Sequence, residues 1–125
     1  MFEIAVEESF AAGHRLRGYG GKCEKPHGHN YRVRVTLEGE QLDATGLLYD
    51  FVELKRRLSE LIEAIDHKFL NDLVPFDQVN PSAENLAKYF YDELSKQLAA
   101  TPGHGVRLKE VTVFETDTTT ATYRA

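Results

Sequence analysis

Residues 27–38 are His-Gly-His-Asn-Tyr-Arg-Val-Arg-Val-Thr-Leu-Glu, a stretch that combines a strand pattern with two histidines at its start. Apolar residues from Tyr31 to Leu37 alternate with polar ones, which is typical of a half-buried β-strand. Because side chains two residues apart in a strand point to the same side, His27 and His29 can present both imidazoles to one point. The stretch therefore predicts a strand that carries a polar site at its beginning.

The remaining periodicity predicts three more strands and two helices. Residues 2–6 also alternate as a strand does, but the alternation slips around residues 8–10, where we expect a bulge or bend. Apolar residues at helical spacing then predict one helix over about 50–65 and another over about 82–98. Valine and threonine runs predict two final strands. The order ββααββ indicates an α+β fold, in which an antiparallel sheet carries both helices on one face.

The composition is that of an ordinary globular domain, and we expect residues 1–125 to form one unit. Hydrophobic residues make up 42% and charged residues 28% of the chain. A net charge of −5 disfavours nucleic-acid binding, and no apolar run is long enough to span a membrane. The N-terminus lacks a signal-peptide layout, and the lone Cys23 excludes an intrachain disulfide. We therefore expect a soluble cytoplasmic protein without nucleic-acid or membrane partners.

The densest set of metal-ligand side chains comprises His14, Cys23, His27 and His29. His14 ends the first strand, and it can meet the other two histidines if the first two strands pair. Three histidines leave a fourth position on zinc open, as in catalytic sites, whereas Cys23 as a fourth ligand would close a structural site. Cys23 could instead be a base or nucleophile beside the metal, since Lys22 and Lys25 favour its thiolate. The remaining interpretation is a set of polar loop histidines.

Two acidic residues are further candidates. Asp66 can orient the imidazole of His67 and favour its charged form, as an acid/base pair needs, although charged residues near a helix end are also common. Glu115 shares strand parity with Val111 and Val113, so its carboxylate should point to the apolar face. There it needs a side chain or a ligand with two adjacent N–H donors as partner, unless the strand has ended and the carboxylate is solvated.

A loop between the first two strands carries four basic residues. This loop either attracts an anionic substrate or is simply solvated. The four residues are Arg15, Arg17, Lys22 and Lys25.

Several motifs resemble those of the 6-pyruvoyl-tetrahydropterin synthase superfamily, and they follow the family's order over essentially the whole chain. They are Phe10-Ala-Ala-Gly-His14, Cys23-Glu-Lys-Pro-His27-Gly-His29-Asn-Tyr31, Gly46-Leu-Leu-Tyr-Asp50-Phe51, Ile65-Asp66-His67, Asn80-Pro81-Ser82-Ala83-Glu84-Asn85 and Val113-Phe114-Glu115-Thr116. The resemblance implies the tunnelling fold (T-fold), a four-stranded antiparallel sheet with two helices. It also implies a homohexamer of two stacked trimers, with active sites between subunits.

The same resemblance implies a role for each candidate residue. The cofactor Zn²⁺ would be bound by His14, His27 and His29. Cys23 would be the proton acceptor, with His67 as its acid/base partner and Asp66 orienting His67. Glu115 would anchor a pterin through its 2-amino and N3–H groups, and Ser82 matches a position near the pterin.

The spacing between the cysteine and the histidines indicates the subgroup. Three residues separate Cys23 from His27, which resembles bacterial 6-carboxy-5,6,7,8-tetrahydropterin synthases rather than the animal enzymes of biopterin synthesis. The resemblance then implies a zinc-dependent lyase of queuosine biosynthesis. Such an enzyme converts 7,8-dihydroneopterin triphosphate to 6-carboxytetrahydropterin, acetaldehyde and triphosphate. The alternatives are a 6-pyruvoyl-tetrahydropterin synthase and a non-catalytic zinc module that Cys23 closes.

Overall fold

The computed structural model describes residues 1–99 and 105–125. These residues form a five-stranded sheet with two helices on one face. The strands are β1 (Phe2–His14), β2 (His27–Gly39), β3 (Lys68–Phe69), β4 (Arg107–Thr116) and β5 (Thr119–Tyr123), and the helices are α1 (Phe51–Glu63) and α2 (Ala83–Ala99). The order across the sheet is β3-β1-β2-β4-β5. Neighbouring strands are antiparallel, except that β3 runs parallel to β1. Among the described residues, no helix has the length and apolar character needed to cross a membrane.

The predicted α+β architecture is confirmed, with one addition. The described residues form five strands rather than four, because the two-residue β3 pairs with Ala12 and Gly13 of β1. A strand of two residues has no periodicity that a sequence pattern could show. The expected bulge near residue 8 was wrong, since β1 and β2 pair in unbroken register over residues 2–14. Glu8 interrupts the alternation because it holds an inward position of β1 and stays only partly buried there.

The core fills the space between the sheet and the helices. The inward row of β2, from Tyr31 to Leu37, is fully buried against apolar residues of both helices, among them Leu54 and Leu94. Burying a side chain of this size stabilises a fold by about 1.5–3 kcal/mol. Because His27 and His29 continue the same row beyond Tyr31, the packing of the core fixes the side of the sheet on which they lie.

Both helices begin at a capping side chain. The Asp50 carboxylate accepts the N–H of Val52 at 2.8 Å, and the Ser82 hydroxyl accepts the N–H of Asn85 at 3.1 Å. Such a cap contributes about 1 kcal/mol. The cap at Ser82 places the first turn of α2 beside the C-terminal end of β4, where both line one cavity.

Candidate functional site

Three histidines converge where the inward rows of β1 and β2 end. In the antiparallel register, His14 lies opposite His27, and Ala12 lies opposite His29. Residues in opposite positions project to the same face, so the three imidazoles share one side of the sheet. One potential ligand nitrogen from each ring lies within 4.8 Å of the other two. The register therefore brings together the three histidines that the sequence singled out.

Backbone carbonyls orient two of the three rings. His14 Nδ1 lies 2.7 Å from the Pro81 carbonyl oxygen, and His27 Nδ1 lies 2.7 Å from the Lys25 carbonyl oxygen. Since a carbonyl only accepts hydrogen bonds, this network assigns the proton to each Nδ1 and a lone pair to each Nε2. The two Nε2 atoms lie only 3.0 Å apart, so their lone pairs face each other. A cation bound by both nitrogens removes this repulsion.

His29 supplies the third nitrogen. Its Nε2 is buried and has no hydrogen-bond partner among the described residues. Burial lowers the pKa of His14, which favours the neutral form that a metal ligand needs. A buried nitrogen that makes no hydrogen bond, beside two facing lone pairs, fits a metal ion, and imidazole nitrogen is a preferred ligand of zinc.

Glu115 extends this cluster toward β4. Its two carboxylate oxygens lie 3.5 Å from His29 Nε2 and 3.9 Å from His14 Nε2, so the side chain points to the histidine face, as strand parity predicted. The carboxylate is 28% exposed. Together with Ser82, it lines an open cavity of about 250 Å³ between α2 and β5. A carboxylate in such a cavity can accept two N–H donors from a ligand.

Asp66 and His67 lie where the chain passes from α1 to β3. Asp66 Oδ1 accepts the Ala11 N–H at 2.9 Å and lies 3.0 Å from His67 Nδ1. The Ala11 N–H, with a smaller contribution from His67, holds the pKa of Asp66 below its usual value. His67 has φ = 60°, a left-handed conformation that costs a non-glycine residue about 1–2 kcal/mol. Its side chain is 81% exposed, so the strained backbone presents to solvent an imidazole that contacts Asp66 through Nδ1.

The candidate residues line two different cavities of one chain. His67 and His29 line an open cavity of about 490 Å³ at the β1–β3 edge, whereas Glu115 and Ser82 line the smaller one. His29 belongs to the histidine cluster, lines the first cavity and approaches Glu115 of the second. The backbone of Cys23 lies in a short 3₁₀ turn over residues 22–24, and its side chain falls outside the described part of the structure.

Comparison with known proteins identifies the family. The model of the family described as 6-pyruvoyl tetrahydropterin synthase matches residues 3–125. Human 6-pyruvoyl tetrahydrobiopterin synthase is 40% identical over 98% of this chain and 90% of its own. The 6-carboxy-5,6,7,8-tetrahydropterin synthase of Synechocystis sp. is 36% identical over 98% of this chain and 93% of its own.

A solved structure agrees with the sequence relatives. The structure of Caenorhabditis elegans 6-pyruvoyl tetrahydropterin synthase superposes with a TM-score of 0.84 at 31% identity, covering 99% of this chain and 95% of that chain. The fold is thus the tunnelling fold, and these relatives are pterin synthases. The chain belongs to the 6-pyruvoyl tetrahydropterin synthase family.

Proposed function

We propose that the chain is a zinc-dependent 6-carboxy-5,6,7,8-tetrahydropterin synthase of queuosine biosynthesis. It would convert 7,8-dihydroneopterin triphosphate and water to 6-carboxytetrahydropterin, acetaldehyde and triphosphate. The observation that carries the proposal is the convergence of three histidine nitrogens beside a carboxylate-lined cavity. The names of the pterin synthase relatives support the substrate class, and the three residues between Cys23 and His27 support the 6-carboxy product.

The metal would be held by His14, His27 and His29. When bound, zinc supplies a Lewis acid that polarises the side-chain oxygens of the substrate and so makes the adjacent C–H protons more acidic. The carbonyls of Pro81 and Lys25 support this role, because a ring fixed at Nδ1 would keep its Nε2 lone pair available to the metal.

Cys23, His67 and Asp66 would move the protons. Lys22 and Lys25 flank the Cys23 thiol in sequence and favour the thiolate, which can accept a substrate proton. The Asp66 carboxylate lies 3.0 Å from His67 Nδ1 and orients the ring, as an acid/base pair requires. The exposure of His67 leaves its Nε2 free to meet a substrate or the thiolate.

We further propose that the site is shared between subunits of a homohexamer built from two stacked trimers. Among the described residues, the outer edge of β1 pairs with β3 only at Ala12 and Gly13, and Ala11 bonds to residues 66–67, which leaves residues 2–10 open along that edge. The opposite edge is β5. Open edges on both sides of one sheet can pair between copies, and such a head-to-tail contact closes into a ring. A neighbouring subunit could then complete each active site.

The identity of the product distinguishes a 6-carboxy-tetrahydropterin synthase from a 6-pyruvoyl-tetrahydropterin synthase, the two activities for which the relatives are named. Zinc-loaded protein, with its mass measured by light scattering, is incubated with 7,8-dihydroneopterin triphosphate and the products are identified by mass spectrometry. We expect the mass of a hexamer, a 6-carboxy product and acetaldehyde. A 6-pyruvoyl product without acetaldehyde would replace the proposal by the activity of the human relative. Bound zinc without turnover and with an unreactive Cys23 would favour a structural zinc module.

Glu115→Gln tests the proposed pterin anchor. The amide keeps one acceptor oxygen but turns a donor toward the N–H groups of the pterin, and charge-assisted bonds of this kind contribute about 1.5–3 kcal/mol. We expect KM to rise about tenfold or more, with zinc content unchanged. Glu8→Gln is the matched control, since Glu8 is another partly buried carboxylate on the inward face of the sheet. An unaltered KM in Glu115→Gln would remove Glu115 from substrate binding.

A further inference from the structure

Asn80 is fixed by hydrogen bonds on both its side chain and its main chain. Its Oδ1 accepts the Arg17 N–H at 2.9 Å, and its Nδ2 donates to the Arg17 carbonyl at 3.0 Å. This reciprocal pair of hydrogen bonds resembles the pair that two residues exchange between antiparallel strands. It connects Asn80 to the segment that follows β1. The Asn80 carbonyl also accepts Asn85 Nδ2 at 2.8 Å, which ties it to the first turn of α2.

Arg17 strengthens the same connection. Its guanidinium donates to the Phe76 carbonyl at 2.7 Å and more weakly to the Val79 carbonyl at 3.4 Å. The Arg17 guanidinium therefore holds residues 76–80 against the segment that follows β1. Of the four basic loop residues in the sequence, this one is directed inward rather than toward an anionic substrate.

The two residues after Asn80 contact the histidine cluster and the cavity that Glu115 lines. Pro81 is buried and has no N–H of its own, so its neighbours must fix its position. Its carbonyl meets His14 Nδ1 at 2.7 Å. Ser82 caps α2 and lines the cavity that holds Glu115. A shift of Asn80 would thus move the partner of one histidine and one wall of the cavity together.

We propose that Asn80 is a positioning residue that holds the Pro81 carbonyl against His14 and Ser82 at the Glu115 cavity. The inference rests on the proposed function, because it takes His14 as a metal ligand and the cavity as part of the substrate site. An outer hydrogen bond of this kind typically changes metal affinity by 10- to 100-fold, since it fixes both the ring orientation and the tautomer of the ligand.

Asn80→Asp is the test. This substitution keeps the acceptor for the Arg17 N–H but replaces the donor by an oxygen that faces the Arg17 carbonyl. We expect zinc affinity, measured by competition with a chromogenic chelator, to fall about 10- to 100-fold. We also expect ¹⁵N NMR of the metal-free variant to show His14 exchanging between tautomers, whereas the metal-free unsubstituted protein keeps the proton on Nδ1.

Asn71→Asp is the matched control. Asn71 makes the same reciprocal pair with Arg15, at 2.8 and 3.0 Å, but it is not joined to Pro81 in sequence. We expect its zinc affinity and His14 tautomer to match those of the unsubstituted protein. Equal losses in both variants would indicate general loosening of this region and overturn the inference, as would no loss in Asn80→Asp.

A milder variant provides a second test of the inference if Asn80→Asp does not fold. Asn85→Ala removes only the donor to the Asn80 carbonyl, and alanine suits the first turn of a helix. A smaller loss of zinc affinity and a mobile His14 tautomer would support the inference, and unchanged values would overturn it. If the unsubstituted protein itself binds no zinc, the proposed function fails instead, so the two failures are distinguishable.

Discussion

The His27→Ala variant is expected to lose its zinc and, with it, turnover by about a thousandfold or more. His27 Nε2 lies 3.0 Å from His14 Nε2, and the Lys25 carbonyl holds the ring in place. Alanine removes one of three converging nitrogens, and the Lewis acid that depends on them contributes several kcal/mol to such reactions. Elemental analysis after dialysis measures the metal, and initial rates with zinc added measure the activity.

Thermal unfolding gives a second readout of the same substitution. A ligand that binds only the folded state raises the melting temperature, so zinc should stabilise the unsubstituted protein and a chelator should reverse the effect. In His27→Ala the melting temperature should respond to neither. Without metal, the variant should be no less stable than the metal-free parent, because the substitution removes one of two facing lone pairs.

His67→Ala is the control for this experiment. His67 is also a histidine, but its side chain is 81% exposed and it lies outside the converging set. We expect this variant to keep a full complement of zinc and to lose turnover by about 10²–10⁴-fold, the usual contribution of a general acid or base. If His27→Ala kept its zinc while turnover fell, His27 would not be a ligand.

The side of the sheet on which the site lies could be predicted from alternation alone. The row from Tyr31 to Leu37 must face the core, and His27 and His29 continue that row with the same period. The pairing of His14 with His27 followed once the first two strands were taken as neighbours. Glu115 obeyed the same parity on β4. These predictions succeeded because period 2 is a local property that a sequence carries directly.

The contacts that orient the site could not be predicted in this way. The acceptors for His14 and His27 are the main-chain carbonyls of Pro81 and Lys25, and every residue type has a carbonyl. Asn80 was part of a recognised motif, but its reciprocal pair with Arg17 joins residues 63 positions apart in the chain. Only the tertiary fold brings these groups together, so no spacing rule applies to them.

Cys23→Ala is expected to keep zinc and lose turnover by about 10²–10⁴-fold. In the proposed site the three histidine nitrogens that converge among the described residues hold the metal without the thiol. Removal of the thiol should therefore change metal affinity by less than the about 10- to 100-fold that loss of an outer contact costs. Loss of a proton acceptor has the larger effect, because general acid–base catalysis contributes that factor to the rate. Cys23→Ser is the matched control, and its hydroxyl, too weak an acid to ionise near neutral pH, should leave the variant as inactive as alanine does.

The single cysteine makes the chemical test unambiguous. Since Cys23 is the only thiol in the sequence, an alkylating reagent reports on this residue alone. A proton acceptor near neutral pH should be partly thiolate and react quickly in the zinc-loaded protein, whereas a thiolate bound to zinc should be protected until a chelator removes the metal. Protection by zinc, together with zinc loss in Cys23→Ala, would establish a closed four-ligand site and end the catalytic proposal. Rapid alkylation that abolishes turnover without releasing zinc would assign Cys23 to proton transfer, since the metal and the thiol would then act as separate parts of one site.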